Sequence, residues 1–144
     1  MNVACIFPGH GGLSVGVGKC LFDRCDTVRR TFEEADDVLH YPLTRLMLRG
    51  PQATLLRSEH AQAALLTLST ALHRAFMRRF VQQRDGVVLA YAGYSLGEFT
   101  ALVASGAIGF ASSPACASSR SLDRLVRPEG GAMAVVLRTR CGAC

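Results

Sequence analysis

The chain has 144 residues, 49% of them hydrophobic and 19% charged, which suits one globular domain with its own core rather than two. No apolar run approaches the roughly 18 residues of a membrane span. The N-terminus turns to Pro8-Gly9 too early for a signal peptide, so a cytoplasmic location is expected. The net charge of +5 comes from dispersed arginines without a nucleic-acid motif. It reads as a solvated basic surface that suits anionic partners.

Val3 to Phe7 reads as a short buried strand running into a glycine-rich loop, Pro8-Gly9-His10-Gly11-Gly12. Val28 to Leu39, with Glu33, Glu34, Asp36 and Asp37, suits an exposed helix. Pro42 and Gly50-Pro51 bracket a short helix over Leu43 to Leu48. Ala61 to Phe80 carries the clearest helical period, with Ala64, Leu65, Leu68, Leu72, Ala75 and Phe76 at three- and four-residue steps. This predicts a core helix under a sheet. A polar turn, Gln82 to Gly86, then leads into a strand, Val87 to Tyr91.

That strand meets Gly93-Tyr94-Ser95-Leu96-Gly97, and a helix follows through Ala104. Gly-x-Ser-x-Gly between a strand and a helix is the pattern of a nucleophile elbow. The turn is tight enough that flanking side chains would clash, so glycines stand on both sides. The serine hydroxyl is presented at the sheet's edge, with the helix N-terminus aimed at any developing oxyanion. These are the parts acyl transfer needs, although two glycines at a helix entry also have a purely structural reading.

Beyond Phe110, the segment 111–119 is small, polar and broken by Pro114, a poor helix or a linker. Pro128-Glu129-Gly130-Gly131 then turns into an apolar, strand-like run, Ala132 to Leu137. Six cysteines without secretory features read as free thiols. Cys141-Gly-Ala-Cys144 has the spacing of half a zinc site, but no second pair lies nearby, so no metal is expected.

Phe7-Pro8-Gly9-His10-Gly11-Gly12, Ser58 to Leu66, Gly93 to Ile108 and Pro128 to Val136 together resemble the malonyl-CoA:acyl-carrier-protein transacylases and the acyltransferase domains of polyketide synthases. The motifs keep the family's order across nearly the whole chain. The resemblance implies an α/β class: the N-terminal part of an α/β-hydrolase-like acyltransferase fold, ending at the first strand of a small ferredoxin-like subdomain. A partial large subdomain would occupy residues 1–127, and the start of the small subdomain residues 128–144.

It further implies that Ser95 is the nucleophile of a ping-pong reaction. Malonyl-CoA is the substrate, no bound cofactor is required, and an acyl carrier protein takes the malonyl group. Backbone N–H groups of His10 and Leu96 would form the oxyanion hole. Gln62 would line the pocket, with a plain polar helix-start role as the alternative. Arg120 would grip the malonyl carboxylate, with a surface arginine as its alternative. Neither nucleic acid nor membrane is an expected partner.

Two departures matter. Tyr94 stands where the family usually has histidine, as in the acyltransferase-like subunit of malonate decarboxylase. The family's general-base histidine lies in the second half of its fold, whereas His10, His40, His60 and His73 all precede the elbow. His40 and His73 read as surface helix residues, and His60 stands close enough to Gln62 in sequence to approach the pocket. An incomplete acyltransferase with weak catalysis of its own is the expectation. A non-catalytic or partner-completed carrier-protein-binding module, or a different serine acyl hydrolase, remains open beside it.

Overall fold

The computed structural model describes residues 2–82 and 86–113. Two parallel strands, β1 (Asn2–Phe7) and β2 (Val87–Gly93), pair from Asn2 opposite Val87 to Phe7 opposite Gly93, with one register irregularity between Val3 and Ala4. Between them run α1 (Lys19–Arg24), α2 (Asp26–Leu39), α3 (Leu43–Arg49), α4 (Gln52–Leu55) and α5 (Ser58–Gln82). The ninefold run of α6 (Leu96–Ala104) leaves β2 through the elbow. The α/β class is as the sequence implied. The boundary expected at residues 127 and 128 lies outside the described residues, as do residues 114–119 of the expected poor helix or linker and the run Ala132 to Leu137.

The core sits among helices rather than on the sheet. Phe32, Leu43, Met47, Leu55 and Leu66 are fully buried, joining α2, α3, α4 and α5. Each contributes about 1.5–3 kcal/mol through removal of its side chain from water. The side chain of Asp36 accepts the Thr44 N–H at 2.8 Å, and the Thr44 hydroxyl reaches the Phe32 carbonyl at 3.2 Å, which fixes α3 against α2. Arg74 of α5 pairs with Glu34, donates to Thr31 at 3.2 Å and lies over the Phe110 ring at 5.2 Å. One side chain thereby ties α5, α2 and the segment after α6.

Three sequence expectations change. The helix at Val28 to Leu39 is not simply exposed: Val28, Thr31, Phe32 and Ala35 are buried, because a three- and four-residue apolar stripe lies opposite its acidic face. The first strand is buried on one face only: Phe7 is buried, but Ile6 is 77% exposed, as are Val87 and Leu89 of β2 to a similar degree. Two strands alone leave apolar faces and edges that nothing among the described residues covers. The long helix is core through Ala61–Thr67, but Leu72 and Phe76 stand out from it, bordering a groove of about 480 Å³ beside β1. No helix among the described residues is long and apolar enough to cross a membrane.

Candidate active site

β2 ends at Gly93 and α6 opens at Leu96, so the chain has two residues in which to reverse. Ser95 takes φ 54° and ψ −120°, a conformation that costs a non-glycine residue on the order of 1–3 kcal/mol. Hydrogen bonds hold it there. The Tyr94 N–H donates to the Phe7 carbonyl at 3.1 Å, the Gly97 N–H to the Tyr94 carbonyl at 2.9 Å, and the Glu98 N–H to the Ser95 carbonyl at 3.0 Å.

The two glycines are required by contact. A methyl group on Gly93 would lie 2.0 Å from the Gly97 carbonyl carbon, and one on Gly97 would lie 2.3 Å from the Phe7 carbonyl oxygen. The first turn of α6 therefore crosses both strand ends at backbone distance. Ser95 is exposed at the apex, while the adjacent Leu96 side chain is buried in the core and anchors the turn. The Leu96 N–H belongs to a first helical turn, where no intrahelical acceptor exists and the helix dipole favours negative charge.

The glycine-rich loop after β1 lies directly on this elbow. A methyl group on Gly9 would fall 2.7 Å from the Tyr94 carbonyl oxygen and 3.1 Å from Ser95 Cβ. His10, the next residue, is exposed. His10, Gly11, Gly12 and Leu13 also wall a cavity of about 160 Å³ with Leu56, Ala61 and Leu65. Gln62 is next to Ala61 on the first turns of α5, partly buried, and its Oε1 is enclosed without a hydrogen-bond partner among the described residues. An acceptor left in that state costs about 1–3 kcal/mol, which a bound donor would relieve.

His40 is exposed, as the sequence suggested, but His73 has other surroundings. His73 is not a surface residue: its ring packs edge-on between Phe7 at 5.8 Å and Tyr91 at 5.5 Å, and its Nε2 is buried without a partner among the described residues. Burial first, and the neighbouring Arg74 charge second, hold its pKa below the ordinary histidine value. A helical period alone does not reveal that a strand pair crosses this turn of α5. His60 is engaged elsewhere, with Nδ1 3.2 Å from the Tyr41 hydroxyl and Nε2 3.5 Å from Glu59. His40 closes α2 in a left-handed conformation. The Cys5 thiol has its pKa raised by burial, opposite to what a reactive thiolate needs. Arg120 lies outside the described residues.

The sequence carries no sign of the contact between Gly9 and Ser95, nor of Gln52, whose amide reaches the loop at Leu13 and Val15. A proline followed by an amide side chain at a helix start is too common a pattern to single out.

With this geometry, the chain's likeness to known proteins is specific. A family profile described as acyl transferase domain matches residues 4–143. A malonyl CoA-acyl carrier protein transacylase of Bacillus subtilis (strain 168) is 36% identical over 139 residues, covering 94% of this chain and 42% of the relative. One from Escherichia coli (strain K12) is 39% identical over 138 residues, covering 93% and 43%. Among solved structures, an acyl-carrier-protein S-malonyltransferase from Burkholderia pseudomallei 1710b superposes with a TM-score of 0.69 at 39% identity, over 78% of this chain and 35% of that one. A malonyl-transacylase in complex with its type II PKS acyl-carrier protein superposes with a TM-score of 0.72 at 35% identity, over 88% of this chain and 40% of that one. The chain thus spans about two-fifths of the length of these relatives. Matched over all but its first three residues and its last, it belongs to the acyl transferase domain family, that of the malonyl-CoA:acyl-carrier-protein transacylases.

Proposed function

We propose that this chain carries the nucleophile and oxyanion site of a malonyl-CoA:acyl-carrier-protein transacylase. The observation that carries the reading is Ser95, held at φ 54° between two glycines that admit no side chain, at the mouth of α6. The named activity of its relatives supplies the substrate class.

In the first half-reaction, Ser95 Oγ attacks the thioester carbonyl carbon of malonyl-CoA and gives up its proton to a base. The carbonyl oxygen becomes an oxyanion that accepts hydrogen bonds from the Leu96 N–H and from the His10 N–H. The carbon–sulfur bond breaks, CoA leaves with a proton, and a malonyl ester remains on Ser95. In the second half-reaction, the phosphopantetheine thiol of an acyl carrier protein attacks that ester through the same oxyanion geometry, and Ser95 Oγ regains its proton. Gln62 offers its enclosed Oε1 as an acceptor at the pocket, and Arg120 pairs with the malonyl carboxylate, the group that separates a diacid thioester from a plain acyl one.

The base is not assigned to His40, His60 or His73: His40 is exposed at the end of α2, His60 meets Tyr41 and Glu59, and His73 is packed between Phe7 and Tyr91. A cytoplasmic location accords with CoA thioester and carrier-protein substrates. Incubating the chain with malonyl-CoA and a holo acyl carrier protein, and weighing the carrier protein intact, tests the reading. A malonylated carrier protein that fails to form with Ser95→Ala supports it. Carrier-protein binding without any malonyl transfer would instead favour a non-catalytic module.

A further inference from the structure

The loop that meets the elbow is anchored at both ends and free of packing in its middle. Its upstream anchor is the contact of Gly9 with Tyr94 and Ser95. Gly11 and Gly12 then take φ 146° and 71°, and a side chain added to either would touch nothing within 4 Å. Two glycines without neighbours have wide backbone freedom. Left alone, they would let the His10 amide wander over the distance that separates a useful oxyanion donor from a useless one.

The downstream anchor is Gln52. Its Oε1 accepts the Val15 N–H at 2.7 Å, and its Nε2 donates to the Leu13 carbonyl at 3.2 Å. One side-chain amide thereby closes a cyclic pair of hydrogen bonds on the backbone immediately after Gly12, from a residue nearly forty positions away. The next residue repeats the attachment: the Gly16 N–H donates to the carbonyl of Met47, which is fully buried in the core. The α3–α4 corner is therefore a fixed wall to which the far end of the loop is fastened.

We propose that Gln52 is a positioning residue, holding the Gly9–Gly12 loop in register with the elbow so that the His10 N–H faces the oxyanion on Ser95. The proposal rests on the transacylase reading for its catalytic consequence, but not for its structural one. Gln52 is exposed, so truncating it opens no cavity and leaves the core intact. The amide needs both of its groups: a glutamate there keeps an acceptor for Val15 but loses the donor to Leu13 and places a charge beside that carbonyl.

The test compares the full chain with Gln52→Ala and Gln52→Glu by backbone amide relaxation and by the rate of Ser95 acylation with malonyl-CoA. In Gln52→Ala, order parameters at Gly11 and Gly12 should fall while those of α2 and α5 stay as they are. The maximal acylation rate should drop about tenfold or more, with half-saturation by malonyl-CoA changed less than about twofold, because misplaced donors are lost mainly from the transition state. Gln52→Glu should fall between the two. Unchanged order parameters at Gly11 and Gly12 overturn the proposal, and so does a rate loss expressed only through weaker half-saturation. If the unsubstituted chain takes up no malonyl group, the transacylase reading fails, and the order parameters still decide whether Gln52 holds the loop.

Discussion

Gly9 and Ser95 touch across the end of the sheet: a single methyl group added to Gly9 would sit 3.1 Å from Ser95 Cβ and 2.7 Å from the Tyr94 carbonyl oxygen. Two segments more than eighty residues apart meet at this point. The nucleophile candidate and the backbone of the loop that would complete its oxyanion hole are thus set by one close approach.

Gly9→Ala should therefore injure the site more than the fold. Crowding of this size costs about 1–3 kcal/mol when neighbours shift to relieve it, which thermal unfolding would register as a lowered midpoint. Ser95 acylation should fall much further than that loss of folded population explains. A variant with a lowered midpoint and undiminished acylation would separate the loop from the chemistry.

Gly97→Ala meets a harder obstacle, since its methyl would lie 2.3 Å from the Phe7 carbonyl oxygen, which is backbone and cannot swing away. The crossing of α6 over the strand ends should open, with loss of soluble, cooperatively unfolding protein. Urea unfolding monitored by circular dichroism would show the transition broadened or absent. A wild-type transition would refute the close packing of the elbow.

These two predictions mark what was legible in the sequence. Gly93 and Gly97 announced the elbow as a local pattern, two residues to reverse the chain; the room denied to Gly93 is local, whereas that denied to Gly97 is taken by Phe7 and Pro8 at the end of β1. The period of α5 was legible for the same reason, being a property of one helix. Burial was not. Ile6 lies in an apolar run that reads as a buried strand yet is 77% exposed, because burial depends on what packs against the strand pair. His73 read as a surface residue until β1 and β2 were placed across it, with Phe7 and Tyr91 on either side. Gln52 carried no signal, since its two hydrogen bonds reach across to Leu13 and Val15. Arg120 remains a carry-over from resemblance, outside the described residues.

His73 gives the stability of the chain a pH dependence with a definite sign. Its folded-state pKa lies below the ordinary 6.5, chiefly through burial and then through Arg74. Between that lowered value and 6.5 the unfolded chain binds the proton more readily, so stability rises with pH through this window and is full above about 6.5. As pH falls through the folded value, the contribution is lost. Urea midpoints measured from pH 8 down to 5 should decline for the unsubstituted chain and decline less for His73→Phe, which keeps the ring contacts without the titrating nitrogen. Parallel curves would remove His73 as the cause.

Arg74 tests the helix layer behind the site. Its pair with Glu34 is more than a third exposed on both sides and screened by water, so it is worth little alone. The stacking over Phe110 and the bond to Thr31 add to it. Arg74→Ala should destabilise by about 1 kcal/mol, read as a shifted urea midpoint, with the larger part surviving in high salt. A loss abolished by salt would mean that the Glu34 pair alone matters.

The most direct test of the central claim is peptide-level mass spectrometry of the chain after brief exposure to malonyl-CoA. One malonyl group is expected, on the peptide containing Ser95, absent from Ser95→Ala and released by a carrier-protein thiol. A malonyl group found elsewhere, or one that persists in Ser95→Ala, would contradict the assignment of Ser95 as the nucleophile.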